Sequence, residues 1–207
     1  NEIQGFDEIK SKMLPNILKS VETDGNIYSV YPFFTLNCHA AKKSNVMPEQ
    51  WSRKGILDIL DSAVDNDINF FGNNSDTKIQ NIIISEICHD YDNGASLDKE
   101  WYSEFIDTGR QLAKIEKTSD VDYSDELIFK NNEVICSEVT IDSFDKYYYI
   151  KKACFDDDIT LLGSAYDENT IAINAELMMS ILSDSSNKEG AWTVLSYFMS
   201  DEFQEII

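Results

Sequence analysis

Between Glu22 and Lys43 the chain reads ETDGNIYSVYPFFTLNCHAAKK, and this stretch constrains the fold more than any other. Asp24-Gly25-Asn26 is a tight-turn signal, with strand-forming Val21 on one side and Ile27 to Val30 on the other. Tyr31-Pro32-Phe33-Phe34 follows. A proline cannot donate to a sheet ladder, so a central strand is expected to stop or bend there. Thr35 to Ala41 is then extended and mostly apolar. Two readings fit. The chain leaves one domain and enters another here, with three rings at a crossing where a binding cleft would lie; or the segment is a hairpin followed by a core strand.

At 207 residues the chain has room for one large domain or two small ones. It is 43% hydrophobic and 12% aromatic, enough to bury a core, which argues against global disorder. The net charge of −21 argues against nucleic acid, whose phosphates require Lys and Arg, and against electrostatic attachment to anionic lipid. No apolar run reaches the roughly 18 residues of a membrane span. The first residue is Asn1 and no signal peptide is visible, so a processed chain or a piece of a longer one is expected. Cys38, Cys88, Cys136 and Cys154 are widely spaced among apolar residues and read as four buried free thiols.

Apolar spacing predicts helices ending at Val21, starting at Pro48 (core face Ile56, Ile59, Leu60, Ala63, Val64), around Ile79–Ile87, and from Asp98 with Trp101, Phe105, Ile106 and Leu112 inward. Pro15 fits the first turn of a helix over Pro15–Val21. Glu133 to Val139 alternates as a strand, Ser143 to Cys154 reads as helix, and Ile159 to Leu162 as a short strand. Ile171 to Leu182 is either a buried strand or the strand end of a loop, and a last helix carries Trp192, Leu195, Phe198, Met199 and Phe203. Strands alternating with helices argue for an α/β fold.

Few constellations carry chemistry. Cys38-His39 and Cys88-His89 are adjacent pairs, and neighbouring side chains point apart, so neither dipeptide makes a zinc site. Asp65-x-Asp67-x-Asn69 starts like a calcium loop but has Phe70 where that loop needs glycine. Asp156-Asp157-Asp158 reads as a solvated turn. No GxSxG, HExxH, P-loop or GxGxxG occurs. No catalytic residue, metal or cofactor is expected.

The rings are more informative. Tyr31, Phe33 and Phe34 lie at the crossing, Phe144 and Tyr147-Tyr148-Tyr149 follow a strand, and Tyr166 sits in a loop. Rings at strand ends can stack on the apolar faces of sugars while Asp, Glu and Asn take the hydroxyls. Core packing is the alternative for each ring. Three successive tyrosines on a helix point about 100° apart, so at least one must be outside the core. Trp51, Trp101 and Trp192 read as helix-packing anchors.

Four segments also resemble a known family, in its order. Glu22–Pro32 is similar to the "DGKLYGLP" segment of extracellular solute-binding proteins of ABC importers (family 1, the maltose-binding type). Lys42–Val46 with Trp51 resembles its "NKD…P-TW-E" segment, and Asn132–Glu138 its "GKAAM" strand. Asn187–Phe198 with Asp201–Gln204 resembles its "NKEAAWEFLKFL-SEEFQ" helix.

The resemblance implies a two-lobed periplasmic-binding-protein-like (type II) fold that closes on a solute, usually a carbohydrate, and delivers it to a membrane permease. It implies that residues 1–34 belong to lobe 1 and the hinge, 35–165 to lobe 2, and 166–207 return to lobe 1. The expected ligand contacts are Phe33, Phe34, Asn37, Glu138, Phe144, Tyr148 and Tyr166. Family members are about twice this length, so a fragment without the N-terminal part is expected. It would be monomeric, extracellular or periplasmic, and lipid-anchored through a segment outside these residues. Two departures stand out: the tryptophan that usually follows the "GKAAM" strand is replaced near Asp142–Phe144, and the Gly-Pro before it is missing. A glycan-active enzyme and a surface interaction protein that kept the fold without a ligand are the other readings.

Overall fold

A computed structural model describes residues 6–118, 121–122, 127–165 and 171–205. The chain divides into two compact units, one made of Asn1–Thr35 with Asn174–Ile207, the other of Leu36–Ile173.

The first unit opens with helices α1 (Phe6–Lys12) and α2 (Pro15–Val21). Pro15 takes the first helical position, where its missing N–H costs no hydrogen bond. Strands β1 (Glu22–Thr23) and β2 (Asn26–Ile27) then pair antiparallel, with Thr23 opposite Asn26. Asp24 and Gly25 both have positive φ, 53° and 76°, as a two-residue primed turn requires. Strand β6 (Ala172–Met179) pairs with β3 (Val30–Lys42), and the unit closes with α7 (Lys188–Phe198) and α8 (Asp201–Gln204). Asn187 and Ser200 cap these two helices by accepting from Gly190 N and Phe203 N.

β3 is the longest strand, at 13 residues, and it passes through Pro32 without a break. The expected stop at the proline is therefore corrected. The ladders to β4 (Cys136–Ile141) and β5 (Ile159–Leu162) begin only at Leu36 and His39, so the absent N–H is not needed by either. The proline carbonyl is used, accepting from Gln204 Nε2 at 3.2 Å.

In the second unit β3 is the centre of the sheet, flanked antiparallel by β4 (Cys136–Ile141) and β5 (Ile159–Leu162). Helices α3 (Arg53–Asp65), α4 (Ser75–Asp92) and α5 (Lys99–Thr118) cover one face. Helix α6 (Phe144–Tyr149), continued by a π-helical turn over Ile150–Phe155, belongs to the other. Strand alternation sorts the side chains accordingly. Ala41 and Cys136 join Trp51, Ile56, Leu60, Phe71, Phe105 and Leu112 in the larger core, while Cys38, Ala40 and Ile141 pack with Ile150 and Phe155 in the smaller. Trp101 stacks on Phe105 at 4.7 Å, and Trp51 Nε1 donates to Gly163 O at 2.9 Å, so both tryptophans anchor packing as their helical positions suggested.

Several expectations shift. The helix expected from Pro48 is a 3-10 turn over Pro48–Gln50, and α3 begins only after Ser52, whose hydroxyl accepts from Gly55 N. A side chain at Gly55 would run into the Gln50 carbonyl, so the turn and the helix need glycine there. The strand expected over Glu133–Val139 starts three residues later. Asn132 has φ of 59°, and the N–H groups of Ile135 and Cys136 go to the Asn69 and Phe70 carbonyls. Ile106 is outward on α5, not inward. Of the four cysteines expected to be buried, Cys38 and Cys136 are; Cys154 is half-buried, and Cys88 is exposed because it falls off the α4 stripe of Ile79, Ile83, Glu86 and Asp90 that faces the core.

That face is unusual. α4 buries Glu86 and Asp90 while Ile84, Ile87 and Tyr91 face outward. The two carboxylates converge on Arg53 of α3. Arg53 Nη2 donates to Asp90 Oδ2 at 2.8 Å and to Tyr102 Oη at 2.8 Å, and the tyrosine hydroxyl donates its hydrogen bond to the same carboxylate oxygen at 2.9 Å. Glu86 accepts from Ser164 at 2.9 Å and lies 3.7 Å from Arg53 Nε. The guanidinium also sits over the Trp101 ring, 4.9 Å from its centroid. Three helices are thus tied by one charge network, in which the hydrogen bonds and opposite charges offset part of the cost of burial.

Candidate functional site

Register places the functional side chains of the second unit. β3 sets Asn37 opposite Thr140, and His39 opposite Glu138. These four alternate with the smaller-core residues, so they share the sheet face that carries Ala41 and Cys136 into the larger core. Towards the Asn37 end that face becomes polar and exposed: Asn37, Glu138 and Thr140 all reach solvent. Thr140 Oγ1 donates to Asn37 Oδ1 at 2.9 Å, leaving the amide N–H2 and the Glu138 carboxylate as outward donor and acceptor.

Two neighbours were not singled out from the sequence. His39 lies between the polar row and the core, its ring 5.7 Å from Phe71 and 6.3 Å from Trp51. Its Nε2 is buried and has no hydrogen-bond partner among the described residues. Burial foremost, and then the charge of Lys78, holds its pKa down to about 4, so the imidazole is neutral at pH 7. Lys78, on α4, donates to the Phe71 carbonyl at 2.6 Å. Burial lowers its pKa, and the charge of Glu138 is among the groups that counter this. The sequence signal for His39 was strand alternation with Asn37; Lys78 gave none, since its approach depends on how α4 packs.

The aromatic side chains form a second patch of the same unit. Ser143 caps α6 by accepting from Lys146 N at 3.2 Å. Phe144 and Tyr148 then stand one helical turn apart on one face. Phe144 is 92% exposed and Tyr148 62%, whereas Tyr147 turns towards the smaller core. Of the three tyrosines, two are therefore outside, as helical geometry required. α6 belongs to the opposite sheet face from Asn37 and Glu138, but it starts four residues after Thr140, a span of at most about 14 Å.

Phe33 and Phe34 belong to the first unit. Phe33 packs edge-on against Phe203 at 5.7 Å. Phe34 lines a hollow of about 250 Å³ with Ile17, Pro32 and Met199. Tyr166 lies outside the described residues. The structure thus brings Asn37 together with Glu138, and Phe144 with Tyr148, and puts Phe33 and Phe34 in apolar settings of their own unit.

The site has no reactive constellation among the described residues. No group of three or more His, Cys, Asp or Glu side chains converges as a metal would need. The converging carboxylates, Glu86 and Asp90, are buried and committed to Arg53 and its partners. What the surface offers is an amide, a carboxylate, a hydroxyl and two exposed rings, groups that can donate and accept hydrogen bonds and stack on an apolar face.

Comparison with known proteins agrees on the fold. No family model matches the sequence, and no curated protein sequence matches it. Among solved structures, a family 1 extracellular solute-binding protein from Bifidobacterium longum subsp. infantis is similar over 99% of this chain and 59% of its own, at 16% identity and a TM-score of 0.53. The solute-binding protein RafE in complex with raffinose is similar over 98% and 59%, at 12% identity and a TM-score of 0.50. A chitin oligosaccharide binding protein is similar over 97% and 56%, at 13% identity and a TM-score of 0.50. The chain spans a little over half the length of the structures it matches. Its mixed helix–sheet architecture is that of part of an extracellular solute-binding protein of the family 1 kind.

Proposed function

We propose that this chain is the greater part of an extracellular solute-binding subunit of an ABC importer and that its solute is a carbohydrate. The observation that carries the reading is the pairing, within one unit, of a hydroxyl-binding row (Asn37, Glu138, Thr140) with the bare rings of Phe144 and Tyr148. The row ends at Thr140, at most about 14 Å along the chain from Phe144, so a solute that reaches round the end of the sheet could meet both patches. Rings cover the apolar faces of pyranose units, and fixed amide and carboxylate groups select their hydroxyls. The fold supports the same reading, since the similar structures include proteins described as binding raffinose and chitin oligosaccharide. In this account residues 35–165 form the second lobe of the binding protein, and 1–34 with 166–207 contribute to the first. The protein acts outside the cell, held there by a lipid anchor on a segment beyond these residues. It works as a monomer and hands its solute to a membrane permease. Phe33, Phe34 and Tyr166 remain proposed ligand contacts alongside the second-unit residues.

Alanine substitution separates binding from folding. Phe144 and Tyr148 are exposed, so Phe144→Ala and Tyr148→Ala change stability by no more than about 0.5 kcal/mol. Each lowers affinity for the cognate oligosaccharide about fivefold or more, the loss of one ring stack of roughly 1–3 kcal/mol. Calorimetric titration of wild type and variants against oligosaccharides, amino acids and peptides measures both the class and the residues. Binding of a peptide or amino acid instead, or sugar binding indifferent to both substitutions, would overturn this assignment.

A further inference from the structure

The start of α4 brings one cation to the polar end of the second unit's sheet. Just before it, the N–H groups of Asn74 and Ser75 donate to the Glu116 carboxylate at 2.7 and 2.8 Å, so that acid is engaged at the helix N-terminus. Lys78 follows on the first turn and reaches back to the Phe71 carbonyl at 2.6 Å. Phe71 is also the ring that His39 packs against at 5.7 Å, so Lys78 and His39 share a neighbour. His39 in turn stands opposite Glu138 in the ladder of β3 and β4. Lys78 and Glu138 are within electrostatic reach of each other but do not close into an ion pair, which leaves room for a molecule between them.

Charge and hydrogen-bonding capacity are both balanced at this point. Lys78 contributes one positive charge and Glu138 one negative, while Asn37 and Thr140 contribute none. His39 is neutral at pH 7, its pKa held down to about 4 by burial and then by Lys78. Only one of the three ammonium hydrogens is used, by Phe71, and the Glu138 carboxylate has no hydrogen-bond partner among the described residues. On a chain of net charge −21 this gives one locally neutral place with a donor and an acceptor both available.

Resting on the carbohydrate reading above, we propose that Lys78 is a specificity-determining residue of the same site. Lys78 and Glu138 together take an uncharged sugar unit, one hydroxyl of which accepts from the ammonium and donates to the carboxylate. A hydroxyl can do both at once. A hexuronate or a protonated amino sugar instead meets one attraction and one repulsion of similar size, and its loss of water goes uncompensated. Exclusion of both charged classes therefore follows from keeping the two protein charges together.

Calorimetric titration of the 207-residue chain tests this with raffinose, maltotriose and acetylated chitotriose as neutral sugars, triglucosamine as the cation and trigalacturonate as the anion, at about pH 6, where an amino sugar is protonated. The wild type binds at least one neutral sugar about tenfold or more tighter than either charged trimer. Lys78→Met leaves Glu138 alone and shifts preference towards triglucosamine by about tenfold; Glu138→Gln leaves Lys78 alone and shifts it equally towards trigalacturonate. Lys78→Arg keeps the charge and the neutral preference. A purely structural role would weaken every sugar together and leave the order of charged and neutral sugars unchanged. Glu138 is exposed, so its variant decides the matter even if Lys78→Met fails to fold. A wild type that binds either charged trimer as tightly as a neutral sugar, or an unchanged preference in either folded variant, would overturn the proposal. Binding of none of these sugars would sink the carbohydrate reading and this one with it, whereas neutral-sugar binding without the shifts refutes this one alone.

Discussion

Removing Asp90 tests what holds the three helices of the second unit together. Its carboxylate is fully buried and accepts from Arg53 at 2.8 Å and from Tyr102 at 2.9 Å. Hydrogen bonds to a charged group contribute about 1.5–3 kcal/mol each, and breaking a buried pair costs about 3–5 kcal/mol. Arg53 keeps Glu86 at 3.7 Å and retains some water, its side chain being 24% exposed, which argues for the lower end. Asp90→Ala is therefore expected to destabilise the second unit by about 3 kcal/mol, read as a shift in urea midpoint at unchanged slope. Asp90→Asn, which can still accept from one partner, should cost less. The exposed Arg110–Asp107 pair, also at 2.8 Å, serves as control: Arg110→Ala should cost under about 0.5 kcal/mol. If Asp90→Ala costs less than about 1 kcal/mol, the network does not hold the helices and the reasoning fails.

Three further outcomes follow from local geometry. A methyl group at Gly109 would lie 2.6 Å from Ile79 Cγ2 in the contact between α4 and α5, so Gly109→Ala should destabilise by about 1–3 kcal/mol in the same urea assay despite alanine's better helix propensity. Cys88 should react with a thiol reagent in the folded protein, while Cys38, its pKa pushed up to about 11 by burial, and the fully buried Cys136 stay unlabelled until urea unfolds the chain. His39 binds its proton more weakly folded than unfolded, so its contribution falls as pH drops from about 6.5 to about 4 and is fully lost below that; Asp90, whose pKa the Arg53 hydrogen bond lowers, adds a loss only as pH falls below the ordinary carboxylate value. His39→Phe should flatten the upper limb of the stability–pH curve and leave the lower one.

Local signals in the sequence served well where the structure is set by local chemistry. The Asp24-Gly25 turn and Pro15 at its helix start were legible because turn dihedrals and proline geometry act within a few residues, and the anchoring of Trp51 and Trp101 followed from the large apolar area of their rings. The C-terminal end of the α4 stripe was not. Ile79, Ile82 and Ile83 pack in the core as their spacing predicts, but Arg53, distant in sequence, continues the buried stripe with Glu86 and Asp90 and leaves Ile87 and Cys88 outside it. Pro32 was expected to stop or bend a central strand because it lacks an N–H; β3 continues through it because the β4 and β5 ladders start only at Leu36 and His39, a matter of register that a single sequence does not carry. The site divides in the same way. Phe144 and Tyr148 could be placed outside the core from helical angles alone, whereas the Asn37–Thr140 contact and the approach of Lys78 depend on pairing across the sheet and on helix packing.

The central claim, that this protein binds carbohydrate through its second unit, is tested most directly by titrating the ¹⁵N-labelled 207-residue chain with raffinose, maltodextrins and chitin oligosaccharides while following backbone amide shifts. The account predicts saturable shifts for at least one sugar, centred on Asn37, Glu138, Thr140, Phe144 and Tyr148. Unmoved amides with every sugar at millimolar concentration, or shifts centred elsewhere in the chain, would contradict it.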